Sequence, residues 1–326
     1  MTHAVRIHEN GGPEVLRWEE IDVPEPGPGE AVIRQTASGV NFIDTYFRTG
    51  LYKVPSFPAV IGNEGAGVVE AIGNGVTEVA VGDRVVYCMS FGSYTQRRVI
   101  TAKQLVQIPD GTTDEQAAAI MLKGCTVQYL IRQTYRVKTG ETVLFHAAAG
   151  GCGLIACQWL KHLGATVIGT VGTPEKAELA KAHGCDHPIV YTQENVPDRV
   201  KDLTDGKGVP VVYDGVGQAT FDDSLACLQP LGLMVSFGNS SGAVKPFAPG
   251  LLATKGSLFL TRPTLATYTA TRTQLEAAAF ELFGVIGSGA VKIEVNQTYA
   301  LDDAARAHRD LEARKTTGST VLLTGV

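Results

Sequence analysis

The segment from Thr142 to Thr261 alternates short apolar runs with stretches of helical length, and this alternation constrains the fold more than any other feature. Strands joined by helices of this length form βαβ units, which build a parallel sheet covered by helices on both faces. The sequence therefore predicts a doubly wound α/β domain. Its predicted strands are Val143–Ala147, Thr166–Val171, Ile189–Tyr191, Pro210–Asp214, Leu233–Gly238 and Leu258–Thr261, and its predicted helices are Leu154–Leu163, Pro174–His183, Val196–Leu203 and Phe221–Leu228.

The rest of the chain predicts a second domain, because 326 residues exceed the roughly 250–300 that one hydrophobic core supports. Up to residue 110, short β-type runs are separated by glycine and proline clusters, a pattern typical of an all-β domain. These runs are Ala31–Gln35, Gly65–Ala71, Arg84–Cys88 and Gln96–Thr101. A helical period begins at Asp114–Tyr135. The helix predicted at Thr273–Ile286 and the strand at Ser319–Leu323 lie outside the alternating segment, so we expect them to rejoin the first domain.

Composition limits the classes of partner. The chain is 44% hydrophobic and 19% charged with a net charge of -5, so we expect a soluble globular protein that attracts neither nucleic-acid phosphates nor anionic membranes. No signal-like segment or membrane-length apolar run is present, which predicts a cytoplasmic protein. The six cysteines are scattered without metal-ligand spacing, so we interpret them as buried thiols and expect no metal.

A glycine-rich turn joins the first predicted strand of the α/β domain to its first helix. Aligned to the dinucleotide fingerprint G-x-G-x-x-G, the key positions are Ala148, Gly150 and Gly153. Gly150 would let the backbone approach a pyrophosphate, and Gly153 would let helix and strand pack closely. The alternative is a glycine turn used only for packing, but the flanking βαβ units favour a Rossmann cofactor domain.

The end of the second strand indicates which dinucleotide binds. NAD enzymes of this type usually carry an acid there, about 20 residues after the glycines, whereas this chain has Val171-Gly172-Thr173. Without that carboxylate a 2′-phosphate is not repelled. Thr173 can cap the next helix, so Lys176 lies near the helix N-terminus and would bind the phosphate, with Tyr191 packing on the adenosine. The alternative for Lys176 is a solvated surface lysine. The sequence thus predicts NADPH.

Several segments resemble one protein family along the whole chain. Ile61–Val76, followed by Val81–Val85, resembles the signature of the medium-chain dehydrogenase/reductase superfamily, whose catalytic domain is a GroES-like β-fold. Further matches to its zinc-free quinone oxidoreductases, which are related to zeta-crystallin, are Gly11–Val15, Gly39–Tyr46, Leu122–Val127, Phe145–Gly151, Ser236–Gly242, Thr261–Pro263 and Thr317–Thr320. The resemblance implies a GroES-like catalytic domain at 1–122 and 267–326 and a Rossmann NADPH-binding domain at 123–266.

The resemblance also implies a site without zinc. The superfamily's alcohol dehydrogenases hold a catalytic zinc with a cysteine and a histidine, and at the matching positions this chain has Asn41 and Asn63, which are poor zinc ligands. By the same resemblance the cofactor would contact Asn41, Phe42, Ile43, Asp44, Thr45, Thr126, Tyr129, Gly150, Gly151, Cys152, Gly153, Gly172, Thr173, Lys176, Tyr191, Gly215, Ser236, Phe237, Gly238, Asn239, Arg262, Pro263, Thr264 and Arg314.

The reaction implied by the resemblance is hydride transfer from NADPH to a quinone. The reduced quinone is a stabilised phenolate-type anion, so water or a tyrosine hydroxyl suffices as proton donor. Tyr46 and Tyr52 could line the pocket, with Asn41 orienting cofactor or acceptor, although both tyrosines could equally be ordinary packing residues. The resemblance further implies a homodimer, which we expect along an edge formed by Leu231–Phe237 and Ser257–Leu260.

Two other interpretations remain open. An NADPH-dependent reductase of enones or enoyl thioesters would share the hydride chemistry, although no basic cluster for a phosphorylated thioester carrier is evident. A crystallin-like structural role or a nucleic-acid-binding role is known among zeta-crystallin relatives. The acidic net charge and the lack of a basic, aromatic-rich strand disfavour nucleic acid.

Overall fold

A computed structural model describes residues 2–326 and contains sixteen strands and ten α-helices within that range. The strands are β1 Thr2–Ile7, β2 Arg17–Ile21, β3 Glu30–Val40, β4 Ala59–Val60, β5 Glu64–Ile72, β6 Arg84–Cys88, β7 Arg97–Thr101, β8 Val106–Gln107, β9 Thr142–Phe145, β10 Thr166–Val171, β11 His187–Val190, β12 Val209–Asp214, β13 Leu228–Ser236, β14 Phe259–Thr261, β15 Val295–Ala300 and β16 Ser319–Leu323. The α-helices are α1 Phe42–Thr49, α2 Asp114–Tyr129, α3 Gly151–His162, α4 Pro174–Ala182, α5 Val196–Leu203, α6 Phe221–Cys227, α7 Gly250–Thr254, α8 Leu265–Tyr268, α9 Arg272–Gly287 and α10 Ala304–Glu312.

The chain divides into two units. The N-terminal unit contains the residues up to Cys125 together with Thr269–Phe283 and Ile293–Val326. The central unit contains Thr126–Tyr268 and Gly284–Lys292. Helices α2 and α9 each contribute residues to both units, and a π-helical turn, Leu130–Thr134, follows α2. Within residues 2–326, no helix is both long and apolar enough to cross a bilayer.

The central unit is built on a six-stranded sheet in the order β11-β10-β9-β12-β13-β14, and every neighbouring pair in it is parallel. This order is that of the dinucleotide-binding Rossmann fold. Strands β9 and β12 lie at its centre, and their apolar side chains other than Pro210 are at most 1% exposed. Burial on both faces explains why these strands appear as uninterrupted apolar runs in the sequence. The predicted doubly wound α/β fold is therefore confirmed.

The N-terminal unit is rich in antiparallel sheet. Its seven-stranded sheet has the order β15-β16-β3-β5-β6-β8, with β7 also paired to β3, and its smaller sheet has the order β2-β1-β4. β3 carries two register shifts against β5, so this eleven-residue strand bends. Gly67 faces β3 so closely that a Cβ would overlap the carbonyl oxygen of Arg34. The predicted β-rich class of this region is confirmed.

Helix α1 departs from the all-β pattern predicted up to residue 110. It is bounded by Asn41 at its N-cap and by Gly50 at its C-cap, where the glycine has φ 84°. Asp44, three residues after the cap, accepts a hydrogen bond from the backbone N–H of Asn41 at 2.8 Å. These are regular helix boundary signals. These signals were not recognised in the sequence, because α1 is only eight residues long and lies between β-type runs.

Candidate active site

The glycine-rich turn leads from β9 into α3 at the carboxyl end of the parallel sheet. Gly150 is the N-cap of α3 and, as a glycine, supplies no side-chain cap. A Cβ on Gly153 would overlap the backbone carbonyl oxygens of Ala147 and Ala148, so only glycine fits there. The helix dipole favours the negative charge of an anion at this end of α3, and a glycine at the N-cap lets an anion approach the backbone.

The end of β10 carries the second part of the predicted cofactor site. Thr173 caps α4, since its Oγ1 accepts a hydrogen bond from the backbone N–H of Lys176 at 3.3 Å. A Cβ on Gly172 would lie 2.8 Å from the Tyr191 hydroxyl, so the tyrosine crosses directly over this glycine. The structure thus brings Gly172, Thr173 and Tyr191 together, with the half-buried Lys176 in the first turn of α4.

The ends of β12, β13 and β14 bring together the third group of predicted residues. The ring of Phe237 lies 2.9 Å from where a Gly215 Cβ would be, and a Cβ on Gly238 would overlap the carbonyl oxygen of Gly215. Arg262 donates a hydrogen bond to the carbonyl oxygen of Ser236 at 2.8 Å. Pro263, Thr264 and Asn239 lie next to these residues in sequence, and the Thr264 and Thr267 hydroxyls are 3.1 Å apart. These residues lie together at the carboxyl end of the parallel sheet.

Three predicted residues lie on helices of the central unit. Tyr129 is only 2% exposed, and its ring stacks on Tyr268 at a centroid distance of 4.4 Å. The Tyr129 ring is therefore packed within the central unit. Thr126, one turn earlier, is 7% exposed. Cys152, in the first turn of α3, is half-buried.

Two asparagines of the N-terminal unit are paired crosswise with two buried carboxylates. The Asn41 side-chain amide donates to Glu64 Oε2 at 2.8 Å, and the Asn63 amide donates to Asp44 Oδ1 at 2.8 Å. Glu64 also accepts from the Leu122 backbone N–H at 2.6 Å. Each amide nitrogen is therefore directed at a carboxylate, which sets the orientation of both asparagine side chains.

Burial raises the pKa of Asp44 to about 6, and hydrogen bonds from Asn63, the Asn41 backbone and Tyr94 oppose that rise.

The residues next to Asp44 in the sequence, which were predicted to contact the cofactor, differ in how exposed their side chains are. Phe42 and Ile43 are half-buried, whereas Thr45 is 4% exposed and its hydroxyl donates to the carbonyl oxygen of Phe42 at 2.7 Å.

Tyr46 and Tyr52 lie against each other. Their rings meet edge to face at a centroid distance of 5.3 Å, and the backbone N–H of Tyr52 donates to the carbonyl oxygen of Tyr46 at 3.0 Å. Tyr46 is 8% exposed, whereas Tyr52 is half-buried.

Arg314 lies elsewhere in the N-terminal unit. It follows α10, its side chain is exposed, and its backbone has φ 58°.

The donor set at positions 41 and 63 does not suit zinc. Both amide nitrogens donate to carboxylates, and a neutral amide is a weak ligand for this ion. Within residues 2–326, no three His, Cys, Asp or Glu side chains cluster so that they could hold a metal ion.

A buried network at the sheet was missed in the sequence. His146, Thr170, Asp214 and Ser224 are each at most 2% exposed and form a chain of hydrogen bonds. His146 directly follows β9, and the other three lie on β10, β12 and α6. The strand ends at residues 146 and 214 were recognisable. Their pairing was not, because 78 residues separate His146 from Ser224.

Comparison with known proteins places this geometry in a family. The model for the alcohol dehydrogenase GroES-like domain matches residues 27–110, and the model for zinc-binding dehydrogenases matches residues 151–280. The chain is 55% identical to the quinone oxidoreductase of Pseudomonas aeruginosa, covering 99% of this chain and 100% of that protein. It is 45% identical to the 2-haloacrylate reductase of a Burkholderia species, covering 99% of each.

A solved structure agrees closely with the fold. The crystal structure of Escherichia coli quinone oxidoreductase complexed with NADPH matches with a TM-score of 0.97 and 50% identity, covering 99% of this chain and 100% of that one. The predicted GroES-like and Rossmann domains are thereby confirmed. The chain belongs to the quinone oxidoreductase family of the medium-chain dehydrogenase/reductase superfamily.

Proposed function

We propose that this protein is an NADPH-dependent quinone oxidoreductase that works without a metal. The observation that carries the proposal is the adenosine-ribose end of β10, where Thr173 caps α4 next to Lys176 and no carboxylate ends the strand. The full-length identity to quinone oxidoreductases supports the same reaction, since it covers both units.

The chain's own residues fit NADPH. The amides opening α3 at Gly151 would hold the pyrophosphate, and Gly153 keeps helix and strand close enough for that approach. Lys176, Thr173 and Tyr191 would hold the 2′-phosphate and adenosine. The other predicted residues would bind the rest of the cofactor. They are the strand-end residues Gly215, Ser236, Phe237, Gly238, Asn239, Arg262, Pro263 and Thr264, together with Thr126, Tyr129, Gly172, Cys152, Phe42, Ile43, Thr45 and Arg314.

Bound NADPH would supply the hydride for the electron-poor quinone ring. The protein aligns the reactants and excludes water, and Asn41 orients cofactor or acceptor through its carboxylate-anchored amide. Tyr46 and Tyr52 would line the mouth of the acceptor pocket. The reduced quinone needs one proton, which water or a tyrosine hydroxyl provides, because a phenolate-type anion needs no strong acid. The poor ligand set at Asn41 and Asn63 fits a reaction that uses no zinc.

The proposed assembly is a homodimer formed through β14, the edge strand of the parallel sheet. Phe259 on β14 is 60% exposed, and Leu231, in the strand next to it, is 67% exposed. An unpaired edge with exposed apolar side chains favours pairing with a second copy.

We further propose residues 1–122 and 267–326 as the catalytic domain and 123–266 as the cofactor domain. The six free thiols suit the reducing cytoplasm.

A second candidate is reduction of other activated double bonds with NADPH. The 45% identity to a 2-haloacrylate reductase favours it, because an α,β-unsaturated acid accepts hydride at carbon as an enone does. The two candidates share the cofactor site and differ only in the acceptor.

The deciding experiment measures oxidation of NADPH and NADH with quinones, enones, enoyl thioesters, haloacrylates and alcohols, with and without a metal chelator. We expect the highest kcat/KM for NADPH with quinones and no effect of the chelator. Turnover of haloacrylate or enones without quinone turnover selects the second candidate. Loss of activity on chelation contradicts the metal-free reaction.

A further inference from the structure

Four buried polar side chains connect two turns at the carboxyl end of the parallel sheet. Asp214 ends β12, and its Oδ1 accepts from the backbone N–H groups of Val216 and Gly217 at 2.8 and 2.9 Å. Its Oδ2 accepts from the hydroxyls of Thr220 and Ser224 at 2.8 and 2.7 Å. The carboxylate therefore fixes the turn after β12 and the first part of α6.

The direction of every hydrogen bond in the network follows from Asp214. Ser224 donates its one hydroxyl proton to Asp214, so its oxygen must accept from His146 Nε2 at 3.0 Å. His146 then carries its proton on Nε2, and its Nδ1 accepts from Thr170 Oγ1 at 2.9 Å. Burial lowers the pKa of His146, which keeps the ring in the neutral form that this arrangement needs.

The other end of the network holds the glycine-rich turn. Thr170 Oγ1 accepts from the backbone N–H of Ala147 at 3.3 Å, and the Thr170 carbonyl oxygen accepts from the backbone N–H of Ala148 at 3.0 Å. Ala147 has φ 55°, a left-handed conformation that costs a non-glycine residue free energy. Its carbonyl oxygen accepts from the backbone N–H of Gly150 at 2.9 Å, so the shape of the turn up to the α3 N-cap depends on Ala147.

We propose that His146, Thr170, Ser224 and Asp214 are positioning residues that hold the turn Ala147–Gly150, and with it the opening amides of α3, in the geometry that binds the NADPH pyrophosphate. They act through the turn and not by contact with the cofactor. This inference rests on the proposed function, because it assumes that NADPH binds at α3.

The network differs from ordinary core packing in what it connects. Asp214 holds the turn that begins at Gly215, and His146 immediately precedes the glycine-rich turn, so both loops at the centre of the sheet depend on one chain of donors. An apolar core could fill the same space, but it would not set the rotation of peptide groups in two turns.

The test compares Ser224→Ala with Cys227→Ala. Both variants truncate a buried side chain on α6, but only Ser224 connects His146 to Asp214. Thr170→Val is a second, isosteric variant on β10 that removes the hydroxyl shared by His146 and Ala147. For each variant, calorimetric titration gives the dissociation constants of NADPH and of 2′-AMP, which has the 2′-phosphate but no pyrophosphate, and a thermal melt gives Tm.

We expect Ser224→Ala and Thr170→Val to raise the dissociation constant of NADPH about tenfold while that of 2′-AMP stays within about twofold. Cys227→Ala should lower Tm without changing either constant. If NADPH affinity is unchanged in Thr170→Val, or if both ligands weaken equally, the positioning role is wrong. If Ser224→Ala does not fold, Thr170→Val decides alone. Failure of the wild type to bind NADPH would instead contradict the proposed function.

Discussion

Arg48 and His308 lie 260 positions apart in the sequence and form a buried hydrogen bond, with Arg48 Nη1 donating to His308 Nδ1 at 3.0 Å. Arg48 also pairs with Glu312 at 2.6 Å, and the other ring nitrogen, His308 Nε2, lies 3.0 Å from the Tyr94 hydroxyl. Tyr94 in turn donates to Asp44 at 3.1 Å. Because Arg48 only donates, His308 must be neutral with its proton on Nε2. Helix α10 is thereby connected to the carboxylate that orients Asn63.

This arrangement predicts that His308 destabilises the protein in acid. Burial, and then the Arg48 charge, lowers the pKa of His308 to about 3 from 6.5. Below about pH 6.5 the unfolded chain binds a proton at this position and the folded protein does not, so stability falls as the pH falls. We expect the wild type to lose about 2 kcal/mol relative to His308→Gln between pH 6.5 and about pH 5. Urea denaturation at each pH measures this, and a constant difference between the two proteins would contradict it.

Asp44 should act in the opposite direction. Burial raises the pKa of Asp44 from 3.8 to about 6, so the folded protein holds a proton there that the unfolded chain releases. The stability that this proton confers is present below about pH 4 and is lost as the pH rises through about 6. Relative to Asp44→Asn, the wild type should lose about 3 kcal/mol over that interval. Urea midpoints at pH 4 and pH 7 for both proteins give the difference, and a loss on acidification would show that the direction is wrong.

The sequence predicted the fold where local pattern and burial agree. Strands β9, β10 and β12 are buried on both faces, so their apolar runs were recognisable, and the glycine-rich turn appeared in its strand-turn-helix context. The helix α10 was not predicted, although its buried face carries His308. The cofactor and acceptor residues stay predictions that the binding experiments test.

The buried polar networks were beyond prediction for a physical reason. Asp44 and Tyr94 are 50 positions apart, Tyr94 and His308 are 214 apart, and His146 and Ser224 are 78 apart. Neither helix nor strand periodicity relates residues at such separations. Taken alone, each of these polar residues resembles a surface residue in the sequence. Only the fold shows the hydrogen-bond partners that offset the free-energy cost of burying it.

Gly153 should tolerate no side chain. A Cβ at this position would overlap the carbonyl oxygens of Ala147 and Ala148, so Gly153→Ala must displace α3 from β9. We expect a loss of about 2 kcal/mol in unfolding free energy and at least tenfold weaker NADPH binding, on the order of what overpacking costs. Gly284→Ala is the control, because its Cβ would meet nothing within 4 Å and alanine favours the helix there. Equal stability of the two variants by urea denaturation would contradict the packing role.

Lys176 should discriminate NADPH from NADH. Its position in the first turn of α4, after the Thr173 cap, adds a positive charge to a helix end that already favours anions. We expect Lys176→Ala to weaken NADPH binding about tenfold and NADH binding by less than about twofold, since only NADPH has the 2′-phosphate. Lys181→Ala, in the last turn of the same helix, should change neither constant. Fluorescence titration with both nucleotides measures the ratio, and equal losses would remove the phosphate role from Lys176.

The edge strand β14 should carry the dimer contact. Phe259 is 60% exposed on this strand, and a charge placed there in two symmetric copies would be buried without a partner. Phe259→Glu should therefore raise the dimer dissociation constant on the order of 100-fold, which light scattering over a dilution series detects. Phe280→Glu on α9 changes a still more exposed phenylalanine, at 83%, and should leave the assembly unchanged. A monomeric wild type, or dissociation by Phe280→Glu alone, would show that the copies do not meet at β14.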